Sequence, residues 1–458
     1  MYAVSAVPQL SLLGCPPCDV IHHASVEILR RTGVRVYHEA ARRLLYDAGA
    51  RLTDGKRVQI PAGMVAWALA QAPSSVTLCS RGEDSAAVSL TGRRVSFGPG
   101  SDCPNYLDPR SGERRPFTTA DLIDCIKLVD GLPELDFCMS MGVPADLDGE
   151  SPYRHQFALM LEQTSKPIVF VAEDRADCEA IAAMAAEAAG CAASLRLNPS
   201  ILLYSEPSSP LTHTESATEK LLFMAEEALP VVHSPAPMMG GTAPATLAGA
   251  YALGNAEVLS SLVMHQLTNP GAPFVYGVQA HHLDMTSTIS VYGAPVYQVA
   301  RAMSAEMGRH YGLPTWGNAG MSDSCVMDEQ AAADAAISVL LALLTGTNLA
   351  HDVGYLEAGL TTSPEMMVFT AEMIGMMRRF AEGIRLDAEA MALEVIDAVG
   401  PGGDFLITDH TMDHFRDLWE PALLSRARVE DWAAAGRKRL GERLREKTLA
   451  LMADGRGS

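Results

Sequence analysis

The sequence predicts an α/β protein: a (β/α)8 TIM barrel with an α+β N-terminal extension and a helical C-terminal tail. Three observations carry that expectation. Short apolar runs alternate with Ala-rich amphipathic stretches from about residue 136 onward. The runs are nearly continuous in apolar residues, as strands covered on both faces are. Several runs end in polar or Gly/Pro-rich segments, as the catalytic rim of a barrel does.

The first 130 residues form the extension. Ile21, Ala24, Ile28 and Leu29 recur at helical spacing, and Gly33 ends that helix. Residues 38–49 repeat the pattern, 57–61 read as extended, and another helix runs to about Ala72. Residues 76–80, 87–90 and 94–97 read as strands between Gly and Asp turns.

The barrel domain covers 131–415. Its strands are predicted at 136–143, 167–172, 201–206, 230–235, 273–278, 314–319 and 348–353. Helices follow at 153–163, 175–189, 214–228, 245–267, 291–311, 328–344 and 364–383. Residues 403–409 are the candidate for the eighth strand. Residues 416–458 read as charged helices and a frayed tail.

The 458 residues carry a net charge of −20, which argues against nucleic acid as a partner. Nine cysteines at irregular spacing point to reduced thiols in the cytoplasm. Cys15 and Cys18 are the one close pair, and no second CxxC completes a metal site with them. No Lys or Arg precedes Arg30, so an export signal is not expected. No uninterrupted apolar run reaches the ~18–20 residues of a membrane span.

In a barrel, chemistry lies past the C-terminal ends of the strands. Those positions hold Tyr204 and Glu206, then Met238, Gly240 and Gly241. Further on come Tyr276, then Asn318, Asp323 and Cys325, and last His351 and Tyr355. The rim lacks GxSxG, GxGxxG and HExxH. His281 and His282 are adjacent and would point apart on a strand, so no metal ligation is expected there. Gly and Pro runs let a flat partner approach the backbone.

Eight segments then resemble one family. They are 21–50 (IHHASVEILRRTGVRVYHEAARRLLYDAGA), 95–116 (VSFGPGSDCPNYLDPRSGERRP), 205–213 (SEPSSPLTH), 231–259 (VVHSPAPMMGGTAPATLAGAYALGNAEVL), 269–277 (NPGAPFVYG), 317–332 (GNAGMSDSCVMDEQAA), 348–363 (NLAHDVGYLEAGLTTS) and 394–406 (EVIDAVGPGGDFL). They resemble the trimethylamine:corrinoid methyltransferase superfamily, in particular its non-pyrrolysine, glycine betaine-type members. The resemblance covers nearly the whole chain. It implies methyl transfer from a quaternary amine, glycine betaine or a related betaine, to cob(I)alamin held by a separate corrinoid protein. No protein-bound metal is implied.

The trimethylamine enzymes carry pyrrolysine on the barrel wall, in a region corresponding to 321–328 here. This sequence has only standard residues there, Cys325 among them. A tertiary methylamine is therefore the alternative substrate, and a non-catalytic betaine-binding barrel the alternative role. A metal-dependent lyase or hydrolase is the third reading, and lacks the ligand spacing.

The chemistry suits the residues. A quaternary ammonium leaves as a neutral amine, so the enzyme's work is chiefly positioning. Aromatic faces attract the ammonium by about 0.5–2 kcal/mol without a full counter-charge. Tyr106, Tyr204, Tyr276 and Tyr355 are the candidate faces, with Cys325 beside them. His351, Glu206 and Asn318 are the candidate catalytic residues. Met238, Gly240 and Gly241 are the candidate corrinoid-facing rim. Helix capping is the expected role of Asp323. Apolar Ala/Met helices suggest a homo-oligomer.

Overall fold

The computed structural model describes residues 5–81, 87–147 and 151–454. Its centre is a set of short parallel strands, each bonded to the next. Ile168–Phe170 pairs with Ile201–Ser205, which pairs with Val231–His233, which pairs with Phe274–Val275. Tyr276 bridges in parallel to Thr315, and Trp316–Asn318 pairs with Leu349–His351. Leu349 and Ala350 pair with Ser96 and Phe97. The Asp136 amide donates to the Phe97 carbonyl at 2.7 Å, and Cys138 bridges in parallel to Ile168. The pairing thus returns to where it began.

That closure corrects one expectation. Residues 403–409 form no strand; they are turns and the start of a helix, and almost all are exposed. The place expected for them is taken by Ser96–Phe97 from the extension. Gly402, Gly403 and Asp404 disfavour a strand, and two apolar residues at 96–97 suffice once neighbours on both sides supply the pairing.

A helix follows each strand predicted from 136 onward. The set is Pro152–Gln163, Arg175–Ala188, Glu215–Glu226, Leu247–Thr268, Pro295–His310, Glu329–Thr345 and Pro364–Ala381. Their starts are capped as their sequences prescribe. Asp174, Thr214, Asp328 and Ser363 side chains each accept an amide from the first turn. Thr119–Gly131 follows Ser96–Phe97 and packs on Pro152–Gln163 and the C-terminal helix Leu440–Asp454.

Leu247–Thr268 is long and apolar enough, by length and composition, to cross a membrane, with 78% of its most apolar window buried inside the protein. The extension explains the burial. Helices Cys15–Arg31, Glu39–Asp47 and Ala62–Gln71 all pack against it. Cys15 and Cys18 lie in the first turns of a helix, and all nine cysteines are free thiols.

The interior of the ring is filled from its N-terminal end. Phe137, Met139, Val169, Leu202, Val232, Val275, Trp316 and Leu349 form its core. The hairpin Val76–Leu78/Val88–Leu90 adds Val76, Leu78, Val88 and Leu90 to the same cluster. Cys79 and Arg81 amides bond to the carbonyls of Pro199 and Ser165, just before two strands begin. The hairpin is therefore a plug at the N-terminal end.

Candidate active site

Above the apolar core, at the C-terminal ends of the strands, the space opens into a cavity of about 400 Å³. Its floor is a stack of rings. Trp316 and His351 lie 4.2 Å apart, inclined by 27°, and Tyr204 stacks on Trp316 at 5.3 Å. Period-2 alternation explains the set: Leu202 and Tyr204, Trp316 and Asn318, and Leu349 and His351 face inward from their strands.

One wall is aromatic. Tyr292 and Tyr297 lie 5.3 Å apart, and the His281 ring meets Tyr292 at 6.0 Å. Tyr292 sits just before helix Pro295–His310 and Tyr297 in its first turn. Asp323 latches this segment by accepting the amides of Tyr292 at 2.7 Å and Gly293 at 2.8 Å. Asp323 is therefore not the cap of the next helix; Asp328 is. Tyr355 closes another side, its hydroxyl donating to the carbonyls of Ser101 and Met141.

Asp352 is the best-held group in the cavity. Its Oδ2 accepts from Asn318 Nδ2 at 2.9 Å, and its Oδ1 faces His351 Nε2 at 3.3 Å. His351 Nδ1 lies 2.7 Å from the Gly317 carbonyl. A carbonyl only accepts, so Nδ1 carries a proton. Nε2 then faces a carboxylate oxygen of Asp352. Burial, the largest cause, holds the His351 pKa below its ordinary value against the pull of Asp352. Asn318 also donates to Gln279 Oε1 at 2.6 Å and accepts from the Tyr297 hydroxyl at 3.0 Å. The polar floor is thus one connected network.

The backbone is strained to make this fit. Asp352 has φ of 74°, in the left-handed region. A Cβ at Gly100 would overlap both the Asp352 carboxylate and the Tyr355 ring, so glycine makes room for the two.

The other side carries Asp102, Glu206 and Lys220. Both carboxyls sit in the open depth of the cavity, reached by water yet enclosed by protein. Burial, the largest cause, pushes Glu206 up to about 7, and Asp102 is raised for the same reason. The Tyr204 hydroxyl donates to Glu206. Lys220 is buried on the inner face of helix Glu215–Glu226, its Nζ donating to the Ala172 carbonyl at 2.6 Å.

Of the residues expected from the sequence, Tyr204, Glu206, His351 and Tyr355 line this cavity, and Asn318 braces it. Met238, Gly240 and Gly241 lie on a turn at the rim, with Gly240 and Gly241 exposed. Three do not reach the cavity. Tyr276 follows inward-facing Val275 and so points outward, where its hydroxyl meets Asn255 at 2.7 Å and Tyr251 at 3.1 Å. Tyr106 is buried against Phe117, beneath the Arg115 guanidinium. Cys325 is exposed on a loop.

Sequence reading missed Asp102, Lys220, Gln279, Tyr292 and Tyr297. Two of these stand on helices, which a search of strand ends does not visit. His281 faces the cavity and His282 does not, as adjacency on a strand requires. Outside the cavity, Cys15, Asp19 and His310 bring donor atoms within 4.8 Å of one another, the sort of grouping that could hold a metal ion.

Two solved structures, one of Methanosarcina barkeri monomethylamine methyltransferase (MtmB) and one of a hydroxylamine MtmB complex, share the fold. Each has a TM-score of 0.53 and 12% identity, over 98% of this chain and 89% of the other. The chain is 31% identical over 94% of its length to a trimethylamine methyltransferase of Desulfitobacterium hafniense, covering 87% of that protein. It is 29% identical over 93% of its length to a glycine betaine methyltransferase of another strain of that species, covering 89%. A trimethylamine methyltransferase of Methanosarcina thermophila is 30% identical over 97% of this chain and 93% of its own. The profile of the trimethylamine methyltransferase (MTTB) family matches residues 2–456, so the chain belongs to that family of methyltransferases.

Proposed function

We propose that this protein moves a methyl group from a quaternary amine, glycine betaine or a related betaine, to the cob(I)alamin of a separate corrinoid protein. The observation that carries the reading is the cavity itself. Aromatic faces, three carboxyl groups and an open mouth suit an alkylated nitrogen with one carbon left accessible. The relatives named for trimethylamine and glycine betaine support the same class of substrate.

The reading takes the ring as a (β/α)8 barrel spanning 131–415, closed by Ser96–Phe97 from the extension 1–130 and followed by the tail 416–458. It assigns the protein to the cytoplasm as a homo-oligomer; nine free thiols support a reducing compartment.

The rim fits a broad, flat partner. A Cβ at Gly240 would meet nothing nearer than Met285 Sδ at 3.8 Å, so the turn 238–241 faces open space. Met238, Gly240 and Gly241 are the residues against which the corrinoid would lie. When bound, it supplies a nucleophilic cobalt that accepts the methyl group.

The chain's own residues position. Tyr292 and its neighbours offer π faces to the ammonium. Asp352 gives long-range attraction, but its charge is shared with Asn318 and His351. A bare carboxylate would hold the charged ground state more tightly than the transition state, where the positive charge fades, and so would slow the step. The departing tertiary amine is neutral and needs no proton. A tertiary methylamine substrate would need one, and Glu206, with its pKa near 7, is the group that could supply it.

The test is the absorbance change that accompanies methylation of cob(I)alamin. The expected result is a change that requires both protein and glycine betaine, with dimethylglycine formed in equal amount. Tertiary amines acting alone would favour the competing substrate. Binding of betaines with no absorbance change would leave a binding protein and overturn the enzymatic reading.

A further inference from the structure

Lys220 stands out among the cavity residues. It is the one lysine or arginine lining the cavity among the described residues. It lies on the inner face of helix Glu215–Glu226, at 9% exposure, in a row with buried Ala217, Leu221 and Met224. Lysine is among the residues least often buried without a partner, because its ammonium loses water that only an anion or several acceptors replace. Here one acceptor is given, the Ala172 carbonyl. An ammonium has three donors. No carboxylate among the described residues makes an ion pair with it; Asp102 and Glu206 in the cavity, and Asp174 and Asp177 outside it, act on it only from farther away.

A buried cation with no carboxylate in ion-pair contact, facing a cavity, leaves room for a ligand to bring the contacting anion. The placement within the ring agrees. Lys220 bonds to Ala172, just beyond strand Ile168–Phe170. Asp352 and Tyr355 follow strand Leu349–His351, several strands away round the ring in either direction. Lys220 is the cationic group of one side, where burial favours the protonated forms of Asp102 and Glu206, and the aromatic wall with Asp352 is the other. A molecule with an ammonium at one end and a carboxylate at the other matches both. A plain alkylammonium would leave Lys220 unanswered and would add a second positive charge beside it.

We propose that Lys220 receives the carboxylate of a zwitterionic betaine and so sets the preference for betaines over simple quaternary ammonium ions. This rests on the quaternary-amine reading above and narrows it. The carboxylate keeps its charge throughout methyl transfer, so its contact with Lys220 is equal in the ground and transition states. Such uniform binding acts on KM and leaves kcat nearly alone.

Calorimetric titration with glycine betaine, choline and tetramethylammonium tests this on the protein alone. The wild type is expected to bind glycine betaine at least about tenfold more tightly than choline, which replaces the carboxylate by a hydroxymethyl group. Lys220→Met is expected to abolish that margin, chiefly by weakening betaine binding. Lys220→Arg is expected to keep most of it. In the methyl-transfer assay, Lys220→Met raises KM for the betaine with little change in kcat. A wild type that binds choline as tightly as glycine betaine overturns the proposal without needing any variant. So does a Lys220→Met protein that keeps the wild-type ratio. If glycine betaine binds with the Lys220-dependent margin but no methyl group moves, the anchor stands and the enzymatic reading fails.

Discussion

The two ends of the strand ring are made of opposite materials. The N-terminal end is sealed by the hairpin Val76–Leu78/Val88–Leu90, whose four apolar side chains join a core without a charged member. The C-terminal end holds Asp102, Glu206, Asp352, His351 and Lys220 around open space. One end spends its residues on burial and the other on unfavourable, held charges. The difference teaches where to expect stability and where chemistry: apolar packing at the plug has nothing to do at a reacting carbon, and the strained, buried polar groups at the mouth are not what holds the fold together.

Substitutions can break that division. The largest effect is expected at the plug. Leu90 is fully buried, and Leu90→Ala should cost about 2–5 kcal/mol of stability by lost burial and a residual cavity. Turnover per folded molecule should stay within about twofold. Denaturant unfolding with a parallel assay checks this, and lost turnover in a stable Leu90→Ala protein would erase the distinction.

The converse belongs to Asp352. Asp352→Asn keeps the shape but removes the negative charge and cannot accept at both oxygens. Turnover should fall on the order of 100-fold, as for a misplaced reacting group, with unfolding nearly unchanged. Gly100→Ala should act on the same pair by displacing Asp352 and Tyr355.

A smaller effect sharpens the picture at Glu206. Its native pKa, about 7, lies above its ordinary 4.5, so the folded state favours the protonated form. Its contribution to stability is complete below pH 4.5 and is lost as pH rises through about 7. Cation binding has the opposite slope. Tetramethylammonium should bind roughly three- to tenfold more tightly at about pH 8 than at about pH 6, as the carboxylate appears. Glu206→Gln should flatten both curves. Titration at several pH values measures this, and an unchanged slope in the variant would assign it to another group.

The same contrast governs what was legible in the sequence. Seven strand–helix pairs were readable because burial on both faces leaves a period in the chain. The eighth strand was not, since Ser96–Phe97 is two residues long and becomes a strand only when Leu349–His351 closes on it. At the mouth, strand-end reading reached Tyr204, Glu206 and His351, where period-2 alternation points inward. It misplaced Tyr276, because the alternation fixes two faces without saying which is inner. Tyr297 and Lys220 lie on helices, and their role depends on where those helices dock, which is a tertiary fact. Asp102 owes its place to a backbone with φ of 68° in the extension.

The claim that the mouth grips an ammonium on aromatic faces is tested most directly by calorimetry. Glycine betaine should be titrated into the wild type, Tyr292→Leu and Leu90→Ala. Tyr292 is half-buried in the cavity wall, so Tyr292→Leu should lose about 0.5–2 kcal/mol of cation–π attraction, a weakening of roughly two- to thirtyfold. Leu90→Ala should bind as the wild type does. A Tyr292→Leu protein with undiminished affinity, or a wild type that does not bind glycine betaine at all, would contradict the account.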